Sequence, residues 1–222
     1  MEGREHSGVL LVLNASADPA RVEEWDRWYV EEHLPAVLGT GVFHTGSRFR
    51  LADGFELPAE ATHMAVYETS RPTLPEAMVE MGRKLAPPTR GTATRPPSVR
   101  ALTATYTKVS SHGDGTGKRA NGVVIVLSDC ADASREDFFN EWYEHHGAHV
   151  LDNMDHYAMT RYVADDPKPW QAKYLAIYET ESTDPGRVQR EGWEWFFSLP
   201  PEEVPPMPPL RLWCESAFER EV

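Results

Sequence analysis

Tyr29 and His33 stand four residues apart in the string Trp25-Asp26-Arg27-Trp28-Tyr29-Val30-Glu31-Glu32-His33-Leu34-Pro35. On a helix that spacing puts a phenol and an imidazole on one face, beside Trp25. A histidine facing a cleft, with a phenol one turn away, is a layout for proton transfer. Pro35 disfavours helical geometry at Leu34 and is expected to end or kink the helix there. His33 would then sit in the last turn, where the negative end of the helix dipole favours its charged form. The bland alternative is a half-buried histidine that caps a helix end. Further along, His63, Ala65 and Tyr67 alternate onto one face of a strand, with Met64, Val66 and Glu68 on the other. If the first face lines a cleft, His63 and Tyr67 join Tyr29 and His33, and Tyr174 and Tyr178 form a matching pair.

These side chains need a scaffold, and an internal repeat supplies it. A shift of 114 lays Gly8-Val9-Leu10-Leu11-Val12-Leu13 on Gly122-Val123-Val124-Ile125-Val126-Leu127, and Trp28-Tyr29 on Trp142-Tyr143. Residues 8–33 and 122–147 share 9 identities in 26 ungapped positions, where chance gives about one or two. With small gaps, Arg48-Phe49 meets Arg161-Tyr162, and Ala65 to Thr69 meets Ala176 to Thr180. The proline-rich stretches Pro87 to Pro97 and Pro200 to Pro209 also correspond. Between the halves, Ser110 to Lys118 is polar and Gly-rich and reads as a flexible linker. The chain therefore divides into modules at 1–110 and 120–222.

Each half carries the same order of elements. Short Val/Leu/Ile-rich runs at 8–14 and 122–128 read as strands. Asp18-Pro19 is a cap followed by proline at a first helical position, and Asp132 or Ser134 plays the cap in the second half. The matching helix of the second half carries Phe139, Trp142-Tyr143, His146 and Val150 along one side. Strands follow at 43–50 and 62–69, repeated at 156–163 and 173–180. Helices at 74–85 and 185–198, then strands at 100–108 and 210–218, complete the pattern βαββαβ twice. Such a unit makes a four-stranded antiparallel sheet with two helices on one face. Its bare face must be covered. Two tandem ferredoxin-like modules packed face to face form an α+β barrel within one chain.

Composition removes several functions. The 222 residues carry 22 Lys+Arg against 35 Asp+Glu, a formal net charge of -13, with a pI near 5.1. That balance excludes nucleic-acid binding and disfavours anionic membranes. No stretch approaches the roughly 20 apolar residues of a spanning helix. The N-terminus is charged where a signal peptide is apolar, and only Cys130 and Cys214 are present. The expectation is a soluble, cytoplasmic protein with free thiols. His145, His146 and His149 have metal-like i+3 and i+4 spacing, but no Glu lies between the outer pair and Gly147 weakens the helix, so no metal site is expected. Phosphate-loop, dinucleotide, nucleophile-elbow and covalent-haem motifs are absent.

Trp28-Tyr29, three residues, then His33-Leu34-Pro35, following a strand and opening a βαββαβ unit, resembles the EthD-like branch of the dimeric α+β barrel superfamily. The resemblance covers nearly the whole chain, with 123–150 a degenerate copy. That superfamily includes cofactor-free monooxygenases, muconolactone-type isomerases, polyketide and olivetolic-acid-type cyclases and, further off, haem enzymes. It implies a cleft between sheet and helices, with His33 as the proton carrier and Tyr29 as its phenolic neighbour. At the shift of 114, Gly147 falls at the place of His33, His149 at that of Pro35 and His146 at that of Glu32. Either the second half has moved its histidine by one residue, or it has lost the site and acquired another. The first half is the favoured site.

The resulting expectation is general acid/base chemistry, of cyclase, isomerase or lyase type, on a small hydrophobic or aromatic carbonyl or phenolic metabolite. No cofactor is expected. His33, Tyr29, His63 and Tyr67 would be catalytic, while Trp25, Trp28, Arg48, Tyr143, His146, His149 and Tyr178 would contact substrate. Trp193, Trp195, Phe196 and Phe197 would either roof the pocket or be plain core. Rival readings are a cofactor-free monooxygenase and a barrel that binds a metabolite without converting it. Fusion of two modules permits a monomer as well as a homodimer.

Overall fold

A computed structural model describes residues 1, 3, 5–85, 96–204 and 206–222. Most of the first proline-rich stretch, residues 86–95, lies outside the described residues. The eight strands are β1 (Gly8–Ser16), β2 (Thr45–Leu51), β3 (His63–Thr69), β4 (Ser98–Gly113), β5 (Gly122–Cys130), β6 (Ala158–Ala164), β7 (Tyr174–Thr180) and β8 (Leu210–Arg220). They close into one antiparallel barrel in the order β1-β3-β2-β8-β5-β7-β6-β4. The helices are α1 (Val22–Trp28), α2 (Leu34–Leu38), α3 (Leu74–Lys84), α4 (Glu136–Asn153) and α5 (Pro185–Ser198). The element order βαββαβ thus appears twice, as expected. None of these helices is long and apolar enough to cross a membrane.

Alternation along the strands sorts the core. Val9, Leu11, Leu13, Met64, Val66, Val123, Ile125, Leu127, Leu175 and Ile177 point inward and fill the barrel with Phe49, Tyr106, Tyr162 and Phe218. Their neighbours point outward to the helices. Leu10, Ala65 and Tyr67 pack on Trp25, Tyr29 and Val37. Val124, Ala176 and Tyr178 pack on Phe139, Tyr143 and Val150. The candidate residues therefore lie outside the barrel, in the layer between sheet and helices.

The first helix of each half starts as expected. Asp18 Oδ1 accepts from the Ala20 N–H and Asp132 Oδ1 from the Ser134 N–H, each at 3.0 Å, opening a 3₁₀ turn that leads into the helix. Replacing such a cap typically costs about 1 kcal/mol. Asp132→Ala is expected to lower the unfolding free energy by that amount in urea titrations, with the slope of the transition unchanged.

Two expectations are corrected. Residues 110–113 are not linker: β4 runs through them and pairs with β6 from Tyr106↔Ala164 to Gly113↔Ala158. Closing a barrel demands partners for the backbone groups of β6, and this extension supplies them. The opposite seam, between β2 and β8, is shorter and joins Phe49↔Arg220, Arg50↔Glu219 and Leu51↔Phe218.

The second correction concerns Pro35. The helix does not end at Leu34; it continues to Leu38 through a π-helical turn over Tyr29–His33, in which the Leu34 N–H bonds to the Tyr29 carbonyl. Proline has no N–H to donate and its ring crowds the carbonyl four residues back, so widening the preceding turn by one residue accommodates it. His33 is accordingly not in the last turn. The α4 helix has no proline and runs uninterrupted. One extra residue in the first half changes the offset between the halves from 114 to 113, which is the offset of Arg48 and Arg161.

Candidate functional site

That extra residue decides which histidines correspond. His33 stacks on Trp28 with centroids 5.0 Å apart at 19°, and His146 stacks on Trp142 at 4.2 Å and 15°. Both meet the neighbouring tyrosine edge-on, His33 against Tyr29 at 4.8 Å and His146 against Tyr143 at 5.9 Å. His146, and not Gly147, therefore occupies the place of His33. The arginines follow the same rule: Arg48 lies 4.0 Å over the Tyr29 ring and Arg161 lies 4.3 Å over the Tyr143 ring.

In the first half, the predicted residues come together but are enclosed. Trp25, Tyr29, His63 and Tyr67 are all buried, and the Tyr29 and Tyr67 hydroxyls bond each other at 3.1 Å. Trp25 meets His63 edge-on at 5.0 Å. Arg48 is fully buried; its Nη2 donates to Asp26 Oδ1 at 2.6 Å and its Nε lies 3.0 Å from Glu221 Oε2. His63 Nε2 lies 3.4 Å from Asp26 and 3.5 Å from Glu221. Asp26, His63 and Glu221 thus offer ligand atoms within 4.8 Å of one another, but the Arg48 guanidinium already engages both carboxylates.

The second half is open. A cleft of about 230 Å³ lies between β5, β7, β8 and the helices α4 and α5. Tyr143, His146 and Tyr178, all expected to contact substrate, line it. Trp193, Trp195, Phe196 and Phe197 also line it, and Phe197 is 81% exposed at the rim, so they form a pocket wall and not plain core. His149 stands just outside, 5.1 Å from Trp195.

Burial governs the chemistry of this lining. It lowers His146 to about 4, with His149 acting in the same direction, so the imidazole is neutral near pH 7. It pushes the Tyr178 and Tyr143 phenols up, keeping both protonated as donors. The Tyr143 hydroxyl reaches Ser128 at a long 3.4 Å. Among the described residues, the Tyr178 hydroxyl and the His146 ring have no protein hydrogen-bond partner.

Two lining groups were not anticipated from the sequence. His156, 6% exposed, is lowered to about 4 by burial, with Asp155 and the Glu179 backbone acting against that, and among the described residues neither ring nitrogen makes a well-formed hydrogen bond. Glu215 on β8 is raised by burial, while the indole of Trp193 donates to its Oε1 at 2.9 Å and works against that rise. The available signal was the repeat itself. At the offset of 113, His156 stands opposite the apolar Phe43, a titratable group where its counterpart is core.

No protein-family model matches the chain, and no curated protein matches it. Solved structures do. A chlorite dismutase candidate aligns at TM-score 0.56 with 9% identity over 99% of this chain and 96% of its own. A monooxygenase candidate from Fusobacterium nucleatum subsp. nucleatum aligns at 0.55 with 7% identity over 98% and 94%. An anthrone oxidase-like protein aligns at 0.54 with 8% identity over 100% and 94%. At such identities the likeness is one of fold, a closed eight-stranded antiparallel barrel of the dimeric α+β type. The superfamily that the sequence resembles includes haem enzymes. The carboxylates of a porphyrin would meet Glu215 and no Lys or Arg among the described lining residues, so the cleft does not suit that group.

Proposed function

We propose that this chain is an enzyme performing cofactor-independent general acid/base chemistry on a small hydrophobic carbonyl or phenolic metabolite bound in the second-half cleft. One observation carries the reading: His146, held neutral by burial and with no hydrogen-bond partner among the described residues, stands on the wall of an apolar cleft beside Tyr178. A neutral imidazole accepts a proton from carbon or a phenol, and the Tyr178 and Tyr143 hydroxyls donate to the oxyanion that forms. Cyclisation, isomerisation and elimination share this first step.

The first half holds the equivalent set, His33 with Tyr29, Tyr67 and His63. There the two phenols satisfy each other, so a reaction would begin by parting them.

The step can be read without the natural substrate. Incubation with 2-tetralone, a flat enolisable ketone, in D2O should exchange its α-protons faster than buffer alone, followed by proton NMR. His146→Gln is expected to reduce the rate about 10²–10⁴-fold, the usual contribution of a positioned base. His33→Gln divides the activity between the halves. Exchange no faster than in buffer, or unaffected by both substitutions, would overturn the reading.

The names of two structural neighbours favour a second reading in the same cleft, cofactor-free oxygenation. Deprotonation is again first, but dioxygen then attacks the electron-rich anion. Oxygen uptake in step with product selects this alternative. A flat oxygen trace with continuing α-proton exchange selects the first.

A further inference from the structure

Several half-buried acids packed against the helices have a cation. Asp26 and Glu221 hold Arg48, Glu136 holds Lys173, and Glu144 lies 3.5 Å from Arg161. Glu215 has none within ion-pair distance among the described residues. Its Oε1 is oriented by two neutral donors, Gln189 Nε2 and Trp193 Nε1. A carboxylate set at the wall of an apolar cleft without a counter-charge is costly to ionise there, unless a cation arrives with the ligand.

The rest of the lining suits such a visitor. Trp142, Tyr143, Tyr178, Trp193 and Trp195 present ring systems around the same space, and no Lys or Arg is among the described lining residues. Aromatic faces carry negative quadrupole potential, and several of them around one acid attract an organic ammonium more strongly than either feature alone. His156 adds an independent sign of an absent partner. It is more than nine-tenths buried and lines the cleft, and among the described residues neither ring nitrogen makes a well-formed hydrogen bond, the Glu179 backbone lying nearby. A neutral imidazole offers one acceptor, which an ammonium N–H can use. A ligand carboxylate would instead meet Glu215 within a chain of net charge -13.

We infer that the second-half cleft selects small aromatic ligands bearing a basic amine, with the ammonium on Glu215 and the ring between the aromatic walls. This rests on the reading that the cleft is the substrate site, and it narrows the substrate class from any apolar carbonyl or phenol to one that carries a cation.

Three ligands sharing one ring system test it: 2-naphthylmethylamine, 2-naphthalenemethanol and 2-naphthoic acid, cation, neutral and anion at pH 7.5. Binding is read by quenching of Trp142, Trp193 and Trp195 fluorescence and confirmed by calorimetry. The amine is expected to bind at least tenfold tighter than the alcohol, and the acid to bind weakest. In Glu215→Gln, an isosteric change, the amine should fall to the affinity of the alcohol while the alcohol itself is unchanged. An alcohol that binds as tightly as the amine in the wild-type protein overturns the inference alone, because the cleft still takes a flat apolar ligand. An amine preference that survives Glu215→Gln also overturns it. If none of the three binds, the cleft is not a substrate site and both readings fall. Salt dependence probes the same ion pair without any substitution. Amine affinity should weaken between 50 and 500 mM NaCl while that of the alcohol does not, and equal responses would count against the inference.

Discussion

Between pH 6.5 and pH 4 the folded protein is expected to lose about 1.4 kcal/mol of stability per pH unit for each of two histidines, His146 and His156. Both are lowered from 6.5 to about 4, burial being the main cause. Above pH 6.5 they are neutral in folded and unfolded chains alike and contribute no slope. As the pH falls through the window, the unfolded chain takes up protons that the folded protein refuses, so stability falls with it. Below about pH 4 the folded protein protonates too, and the loss levels off near 3 kcal/mol per histidine. Urea midpoints from pH 7.5 to 4 measure this. His156→Phe puts at this place the residue that stands there in the first half, and should remove about half of the histidine slope. Carboxylate titration is common to every variant, so the difference between profiles isolates the effect. Profiles that superimpose for wild type, His156→Phe and His146→Gln would show that neither histidine is held neutral.

Gly113→Ala should be the most damaging single methyl in the barrel. Gly113 has φ +76°, where an L side chain is strained, and a Cβ there would lie 2.2 Å from the Tyr157 carbonyl oxygen and 3.1 Å from Ala158 Cα. The obstacle is backbone, so the end of the β4–β6 seam must open to admit it. A loss on the order of 3 kcal/mol is expected, a fall of about 10 °C in Tm for a chain of this size. Gly54→Ala is the control. It shares the positive φ, +85°, but nothing lies within 4 Å, so only the conformational cost of about 1 kcal/mol remains. Equal Tm shifts for the two variants would show that the seam yields freely at Gly113.

Sequence periodicity reached the architecture because the repeat doubled every signal. Strand runs, the Asp caps and the order βαββαβ were each visible twice, and they determine the barrel. The site was only partly legible. The pairing of Tyr29 with His33 and the role of Arg48 and Arg161 as matched residues could be read from spacing and alignment. The correspondence of His33 with His146 stood only as one of two alternatives, because a π turn inserts a residue without any gap that an ungapped comparison would notice. Pro35 was the signal, read as ending or kinking the helix, and it does so as a widened π turn and not as a stop. His156 and Glu215 lie on a loop and a strand outside the helix motif, and the absence of a counter-charge beside Glu215 among the described residues depends on what the fold withholds from it. That the second half holds a cleft was beyond local patterns as well, since its walls come from α4, α5 and β8, which are far apart in sequence.

The short seam between β2 and β8 also fixes when this molecule can exist. Phe49 pairs with Arg220, so the first half cannot seal the β2 edge of its sheet until β8 has been made. During synthesis β1 to β4 can assemble locally, but Val9, Leu11, Leu13 and Phe49 would face water on a bare sheet with an open β2 edge. Contacts that span nearly the whole chain are the slowest to form. Until β8 docks, the future interior of the barrel is therefore an exposed apolar surface beside an open strand edge.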